Sequence, residues 1–299
     1  MQIALGRCNF CSVWPVENQQ CELITRRHRF RSVRRVQGAA RLAGTIHRSF
    51  DMSSQVVLIT GALTGIGRAA ALAFAHEGAR LVVAGRQDEA GRALAAELRS
   101  IGEAAEFIRA DVRHEDDVRA LVERTIARFG RLDAAVNNAG TEGTPGPVTE
   151  QTAESYAATF ETNVLGTLLS LKHELRAMQA QGSGSVINVS STYGHQGVRG
   201  ASVYAGSKHA VEGITKSAAL EAASFGVRVN AVAPGPTETG MLDRFAGTAE
   251  RKAALMSSVP LGRLGAPDEI ARVIVFLASE KASFVTGEIF SVAGGKGAG

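Results

Sequence analysis

The chain has 299 residues, 45% apolar and 21% charged, which is length and apolar content enough to bury one large core. No run reaches the eighteen or so unbroken apolar residues of a membrane span, and no apolar segment with a small-residue cleavage site stands near the start, so a soluble, cytoplasmic protein with no membrane partner is expected. The net charge is +4, but residues 1–51 alone hold nine arginines against Glu17, Glu22 and Asp51, a net of +6 that leaves −2 for residues 52–299 and no basic surplus calling for a nucleic-acid partner.

That extension also contains Cys8, Cys11 and Cys21, all the cysteines of the chain, so a disulfide framework in the main body is excluded. Cys8, Cys11, Cys21 and His28 match no established zinc spacing. An arginine-rich, acid-poor stretch fits an organellar transit peptide, a basic disordered arm, or an upstream read-through with the true start at Met52. The third is the expected one, because a buried-strand pattern begins a few residues after Met52. Residues 1–51 are accordingly set apart from a single dinucleotide-binding catalytic domain over residues 52–299.

From residue 55 onward, short β-branched runs alternate with stretches of helical period. The runs fall at 56–60, 80–84, 106–110, 132–136, 185–189, 228–232 and 288–292, and several are nearly continuous in apolar character, as in strands covered on both faces. Between them, 68–77, 89–100, 115–129, 154–178 and 203–223 carry Ala, Leu and charged residues at helix spacing. The alternation predicts an α/β fold: one Rossmann-type doubly wound sheet of about seven parallel strands, with helices on both faces. The Gly-rich tail from Gly294 to Gly299 is expected to fray.

In such a sheet ligands bind at the carboxyl ends of the strands, and six strand ends here carry small, polar or conformationally special residues. The first strand runs into Thr60-Gly61-Ala-Leu-Thr64-Gly65-Ile66-Gly67 and directly into a helix, where glycines allow close approach to a pyrophosphate. The second ends Ala84-Gly85-Arg86, with no acid for a ribose hydroxyl and a guanidinium suited to a 2′-phosphate. This favours NADP(H), with NAD(H) the other possibility and a solvated loop arginine the plainer reading of Arg86.

Tyr204 and Lys208 stand four apart at the start of a predicted helix and share a face. A free phenol near pKa 10 is a poor proton carrier at neutral pH, and a neighbouring ammonium should lower it. Two surface residues side by side would look the same. Ser191, thirteen residues before Tyr204, is placed to hydrogen-bond a substrate oxygen, and Asn163 is a polar amide inside a long helix.

With these residues in place, the sequence resembles the short-chain dehydrogenase/reductases over residues 53–295. The resemblance rests on Thr60-Gly-x-x-x-Gly-Ile-Gly67, Asn137-Asn-Ala139-Gly140, Asn163, Ser191, Tyr204-x-x-x-Lys208, Asn230 to Pro234-Gly235, and the closing Val285 to Gly295. It implies a hydride transfer between a nicotinamide cofactor and a small-molecule carbonyl or alcohol, without a catalytic metal. It further implies Tyr204 as acid/base, Lys208 lowering its pKa and holding the ribose, Ser191 polarising the carbonyl, and Asn163 anchoring a water in the proton relay. Asp111 and Val112 would flank the adenine, and Asn137 would steady the central strand and the cofactor. Pro234 and Gly235, with Thr237 or Thr239, would close over the nicotinamide, and a homotetramer is the implied assembly.

Thr64 departs from the family pattern, since NADP-preferring members often carry a basic residue there, so the cofactor preference rests on Arg86. A catalytically silent nucleotide-binding regulator on the same scaffold is the alternative function, disfavoured because every catalytic position is filled. Met241, Leu242, Phe245 and Met256 lie in a stretch that reads as a substrate lid, with Tyr193 and His195 as further pocket candidates, a plain loop histidine being the preferred reading of His195.

Overall fold

Val56–Thr60, strand β1, is buried at every position, the pattern of a strand covered on both faces. In the computed structural model, residues 50–102 and 104–298 are described, and the readings made of the first 49 residues lie outside them. Among the described residues the other strands are β2 (Arg80–Gly85), β3 (Ala105–Arg109), β4 (Ala134–Asn137), β5 (Gly184–Val189), β6 (Val227–Pro234) and β7 (Ile289–Val292). All pair in parallel, in the order β3-β2-β1-β4-β5-β6-β7. The chain winds outward from β1 to β3, then returns to place β4 on the free side of β1. That reversal opens a crevice at the strand ends, where Thr60 is in register with Ala84 on one side and Asn137 on the other.

Strand alternation divides the core in two. Val57, Ile59, Leu81 and Val83 face helices α1 (Gly65–His76), α2 (Asp88–Ile101) and α9 (Pro267–Ala278), which supply Phe74, Leu98, Ile270 and Ile274. Leu58, Val82, Ala135 and Val186 face α3 (Glu115–Phe129), α5 (Gly166–Gln181) and α6 (Ser202–Ala222), which supply Leu121, Met178 and Ala218. Phe74 is wholly buried, and truncating such a side chain to Ala costs about 3–5 kcal/mol.

The stretch read as one helix from Glu154 is two helices in line. Helix α4 (Ala153–Phe160), opened by a Thr152/Ser155 capping box, passes through a π-helical turn at Glu161–Leu165 before α5 begins. Two short helices, α7 (Gly240–Ala246) and α8 (Ala249–Ser257), start at the caps Thr239 and Thr248 and form the stretch expected to be a lid. Through Ala298 the tail is turned instead of frayed: the Lys296 ammonium donates to Ser258 Oγ at 2.9 Å and to Tyr193 Oη at 3.4 Å. Among the described residues no helix is long and apolar enough to cross a membrane.

Candidate active site

The turn after β1 needs its glycines. Gly61 and Gly65 have φ of +61° and +54°, and a Cβ on Gly61 would stand 2.7 Å from the Ala139 Cα. Asn138 fastens this turn to the end of β4: its side-chain amide donates to the Gly61 carbonyl at 2.8 Å, and its N–H donates to Thr60 Oγ1 at 3.2 Å. Helix α1 then starts with no side-chain cap and no acid in its first turn, so its first N–H groups and positive end are left open to an anion.

Around this turn lies a cleft of about 800 Å³. Of the residues singled out from the sequence, Gly61, Thr64, Gly65, Ile66, Arg86, Asp111, Val112, Ala139, Gly140, Ser191, Tyr204, Lys208, Pro234, Gly235, Thr237 and Thr239 line it. Gly67, Asn137 and Asn163 do not. A Cβ on Gly67 would lie 2.4 Å from both Asn138 Nδ2 and the Gly61 oxygen, so this glycine serves packing. The Asn137 amide points into the core, donating to Glu174 at 2.9 Å and Asn188 at 3.1 Å, so it steadies the strands without touching the cleft. The Asn163 side chain accepts from the Thr141 N–H at 2.8 Å and donates to the Thr141 carbonyl at 2.9 Å and Ser207 Oγ at 3.0 Å. It bolts the π turn to the loop after β4.

The donor set suits a dinucleotide. Besides the open start of α1, Arg86 is exposed on the cleft and has no ion-pair partner within 4 Å among the described residues. No carboxylate occupies the end of β2. Asp111 is already engaged: Arg113 grips its carboxylate at 2.6 Å and holds it at about 2, against the opposing effect of burial.

Tyr204 and Lys208 lie one turn apart on α6, as their spacing requires. Lys208 is buried, its ammonium donates to the Val189 carbonyl at 2.8 Å, and it lies 5.8 Å from the centre of the Tyr204 ring. Burial pushes it down to about 8, with Glu212 pulling the other way. The expectation that the ammonium lowers the phenol is not met by the protein alone: burial pushes Tyr204 up to about 12, opposed by its contact with the Ser191 hydroxyl and reinforced by Tyr193 and Glu142. Burial outweighs the rest here, and the ammonium's own hydrogen bond goes to a backbone carbonyl. Ser191 lies two residues past the end of β5, buried, and caps the next turn, its Oγ accepting from the Tyr193 N–H at 3.2 Å.

The outer part of the cleft is aromatic. Tyr193, Tyr204 and Phe245 stand with ring centres 6.2–6.4 Å apart, beside Met241 and Leu242 of α7. Two expected pocket residues lie elsewhere: Met256 is exposed, with Leu255 lining the cleft instead, and His195 turns away to meet the buried Glu212 at 3.1 Å. Sequence reading missed Asn138 as a fastener and the ion pair of Glu142 with Arg244 in the cleft wall. Asn138 lies inside a motif already noted, but nothing in the local sequence joins residues 142 and 244.

A family model described as Enoyl-(Acyl carrier protein) reductase matches residues 61–296. The chain is 42% identical over 243 residues to a cis-4-hydroxycyclohexanecarboxylate dehydrogenase of Sinomonas cyclohexanicum, covering 81% of this chain and 96% of that protein. It is 39% identical over 247 residues to a 2,5-dichloro-2,5-cyclohexadiene-1,4-diol dehydrogenase of Sphingobium indicum, covering 82% and 98%. Among solved structures it is similar to levodione reductase, with a TM-score of 0.81 and 36% identity over 83% of this chain and 99% of that one.

Proposed function

Because the chain belongs to the short-chain dehydrogenase/reductase family, as an oxidoreductase of CH–OH groups, we propose that it exchanges a hydride between NADP(H) and a ring-borne secondary alcohol or its ketone. NAD(H) is the alternative cofactor. The observation that carries this reading is the meeting of Ser191, Tyr204 and Lys208 in one cleft with the uncapped start of α1.

In this reading the 61–67 turn and the first N–H groups of α1 take the pyrophosphate, Arg86 the 2′-phosphate, Asp111 and Val112 the adenine, and Pro234 to Thr239 the nicotinamide end. When bound, the cofactor supplies or accepts the hydride. Ser191 Oγ and Tyr204 Oη hold the substrate oxygen between them, and Tyr204 Oη donates a proton as a carbonyl becomes an alcohol, or withdraws one in reverse. Lys208, fixed on the Val189 carbonyl, brings a positive charge that favours the phenolate when a second cation joins it in the cleft. Asn163 holds Thr141 and Ser207 at the rear of this path. Met241, Leu242 and Leu255 exclude water from the outer cleft.

The ring substrate is supported by the three aromatic faces of Tyr193, Tyr204 and Phe245, a cage suited to a compact saturated ring, and by the cyclohexane and cyclohexadiene rings in the names of the two similar dehydrogenases. Assembly as a homotetramer is supported by apolar side chains left bare on long helices, Leu168 on α5 at 47% exposure and Leu220 on α6 at 84%.

The test is a panel of cyclic and open-chain secondary alcohols assayed with NADP+ and NAD+, alongside Tyr204→Phe. Ring alcohols with NADP+ should turn over fastest, and the variant should lose about 10²–10⁴-fold in kcat with cofactor affinity nearly intact. Wild-type turnover in the variant ends the assignment of Tyr204.

A further inference from the structure

Glu142, on the loop after β4, and Arg244, on α7, are joined twice. Arg244 Nε donates to Glu142 Oε1 at 2.5 Å and Nη2 donates to Oε2 at 3.1 Å. Both residues line the cleft, and the Glu142 side chain keeps only 11% of its surface. Phe245, next to Arg244 in sequence, is one of the three rings of the cage, and the Glu142 charge is felt by the Tyr204 phenol. The ion pair therefore stands in the wall of the cleft that holds the ring cage, with the Arg244 side chain 63% exposed and the Glu142 carboxylate within electrostatic reach of the Tyr204 phenol.

A wall of this kind is costly to cover with hydrocarbon. A purely apolar ring packed on that wall would strip water from the cleft-facing atoms of the pair without returning a hydrogen bond. A hydroxyl or carbonyl on that ring restores what is lost, since the pair leaves the Arg244 Nη1 hydrogens and carboxylate lone pairs to spare. A substrate carboxylate is less suitable, because it would bring a second negative charge against Glu142 in a pair whose net charge is zero.

We infer that Glu142 and Arg244 form a specificity-determining pair that recognises a second, uncharged oxygen substituent on the ring whose reacting oxygen is held by Ser191 and Tyr204. The inference rests on the ring-alcohol reading above and adds a requirement to it: the preferred substrate is a cyclic diol or hydroxyketone.

The experiment compares kcat/KM for cyclohexanol, cyclohexane-1,4-diol and 4-hydroxycyclohexanecarboxylate in the wild type, in the double variant E142M/R244M and in R244K. Replacing both ions by apolar side chains of similar length avoids stranding one buried charge. After correction for its two equivalent hydroxyls, the diol should be favoured over cyclohexanol by about 10-fold or more in the wild type, the scale of a hydrogen bond to a charged group. It should also exceed the carboxylate. The double variant should lose this preference or invert it. R244K keeps the charge without the guanidinium fork, should reduce the ratio several-fold, and decides the matter if the double variant does not fold. A wild-type ratio near one, a ratio unchanged in either variant, or a preference for the carboxylate overturns the inference while leaving the ring reading intact. Turnover of open-chain alcohols with none of the three ring compounds overturns both.

Discussion

Glu174 is an acid buried beneath β4, 1% exposed, that the proposed chemistry does not use. Burial raises it from the ordinary 4.5 to about 7, with the hydrogen bond from Asn137 opposing. Below pH 4.5 the folded and unfolded chains both hold this proton and nothing is at stake. Between about 4.5 and 7 the folded chain keeps a proton that the unfolded chain has lost, so stability falls as pH rises. Above 7 the full cost is present, about 3 kcal/mol at roughly 1.4 kcal/mol per pH step. Glu174→Gln stays neutral throughout and offers an amide donor near Asn137 Oδ1, which is buried and has no partner among the described residues. At pH 8 the variant should be more stable than the wild type by up to about 3 kcal/mol, and at pH 5 by a little under about 1. Urea denaturation followed by circular dichroism at both pH values measures this, at one fixed protein concentration, because an oligomer's stability depends on it. Equal stability at pH 8, or the same loss between pH 5 and pH 8 in both proteins, refutes the reasoning.

Arg86→Asp should move the preference for NADP+ over NAD+ toward NAD+ by about 10- to 100-fold, from the loss of charge-assisted bonds to a phosphate; unchanged Michaelis constants for both cofactors would remove Arg86 from the site. Gly194→Ala places a Cβ 2.2 Å from Glu212 Oε1 and 2.5 Å from Ser190 Oγ, next to the turn that carries Ser191 and Tyr193. It should cost about 1–3 kcal/mol in urea denaturation and lower kcat, and a variant with wild-type values on both counts would mean that the buried carboxylate yields freely. Leu168→Glu should shift the assembly to a smaller species in size-exclusion chromatography with light scattering; an unchanged mass excludes that face of α5 from the contact.

Much of the architecture was legible because it is written in short-range patterns. The helix expected at 115–129 has those ends, Glu115–Phe129, since three acids open it and Gly130 closes it in a left-handed conformation. Tyr204 and Lys208 could be paired from spacing alone, because one helical turn leaves no other option. What escaped depends on contacts the chain makes with itself at a distance. The π turn inside the long helix is tied to Asn163 reaching across to Thr141, which no local periodicity encodes. His195 follows Ser191 closely enough to suggest a pocket lining, yet a buried carboxylate one turn beyond Lys208 draws it away. The phenol's upward displacement likewise follows from depth in the fold, not from residue type.

The crevice walls come from the ends of β1 through β6 together, so stretches as distant as Gly61 and Phe245 share one binding surface. Its lining runs from Thr60 to Leu255, so no short fragment contains that surface, and it exists only once six strand ends and α7 have come together. A nucleotide that needs this whole surface binds the assembled sheet in preference to the unfolded chain. Its affinity is thereby converted into cooperativity, and a melting temperature that climbs with nucleotide concentration reports on completion of the domain rather than on any single loop.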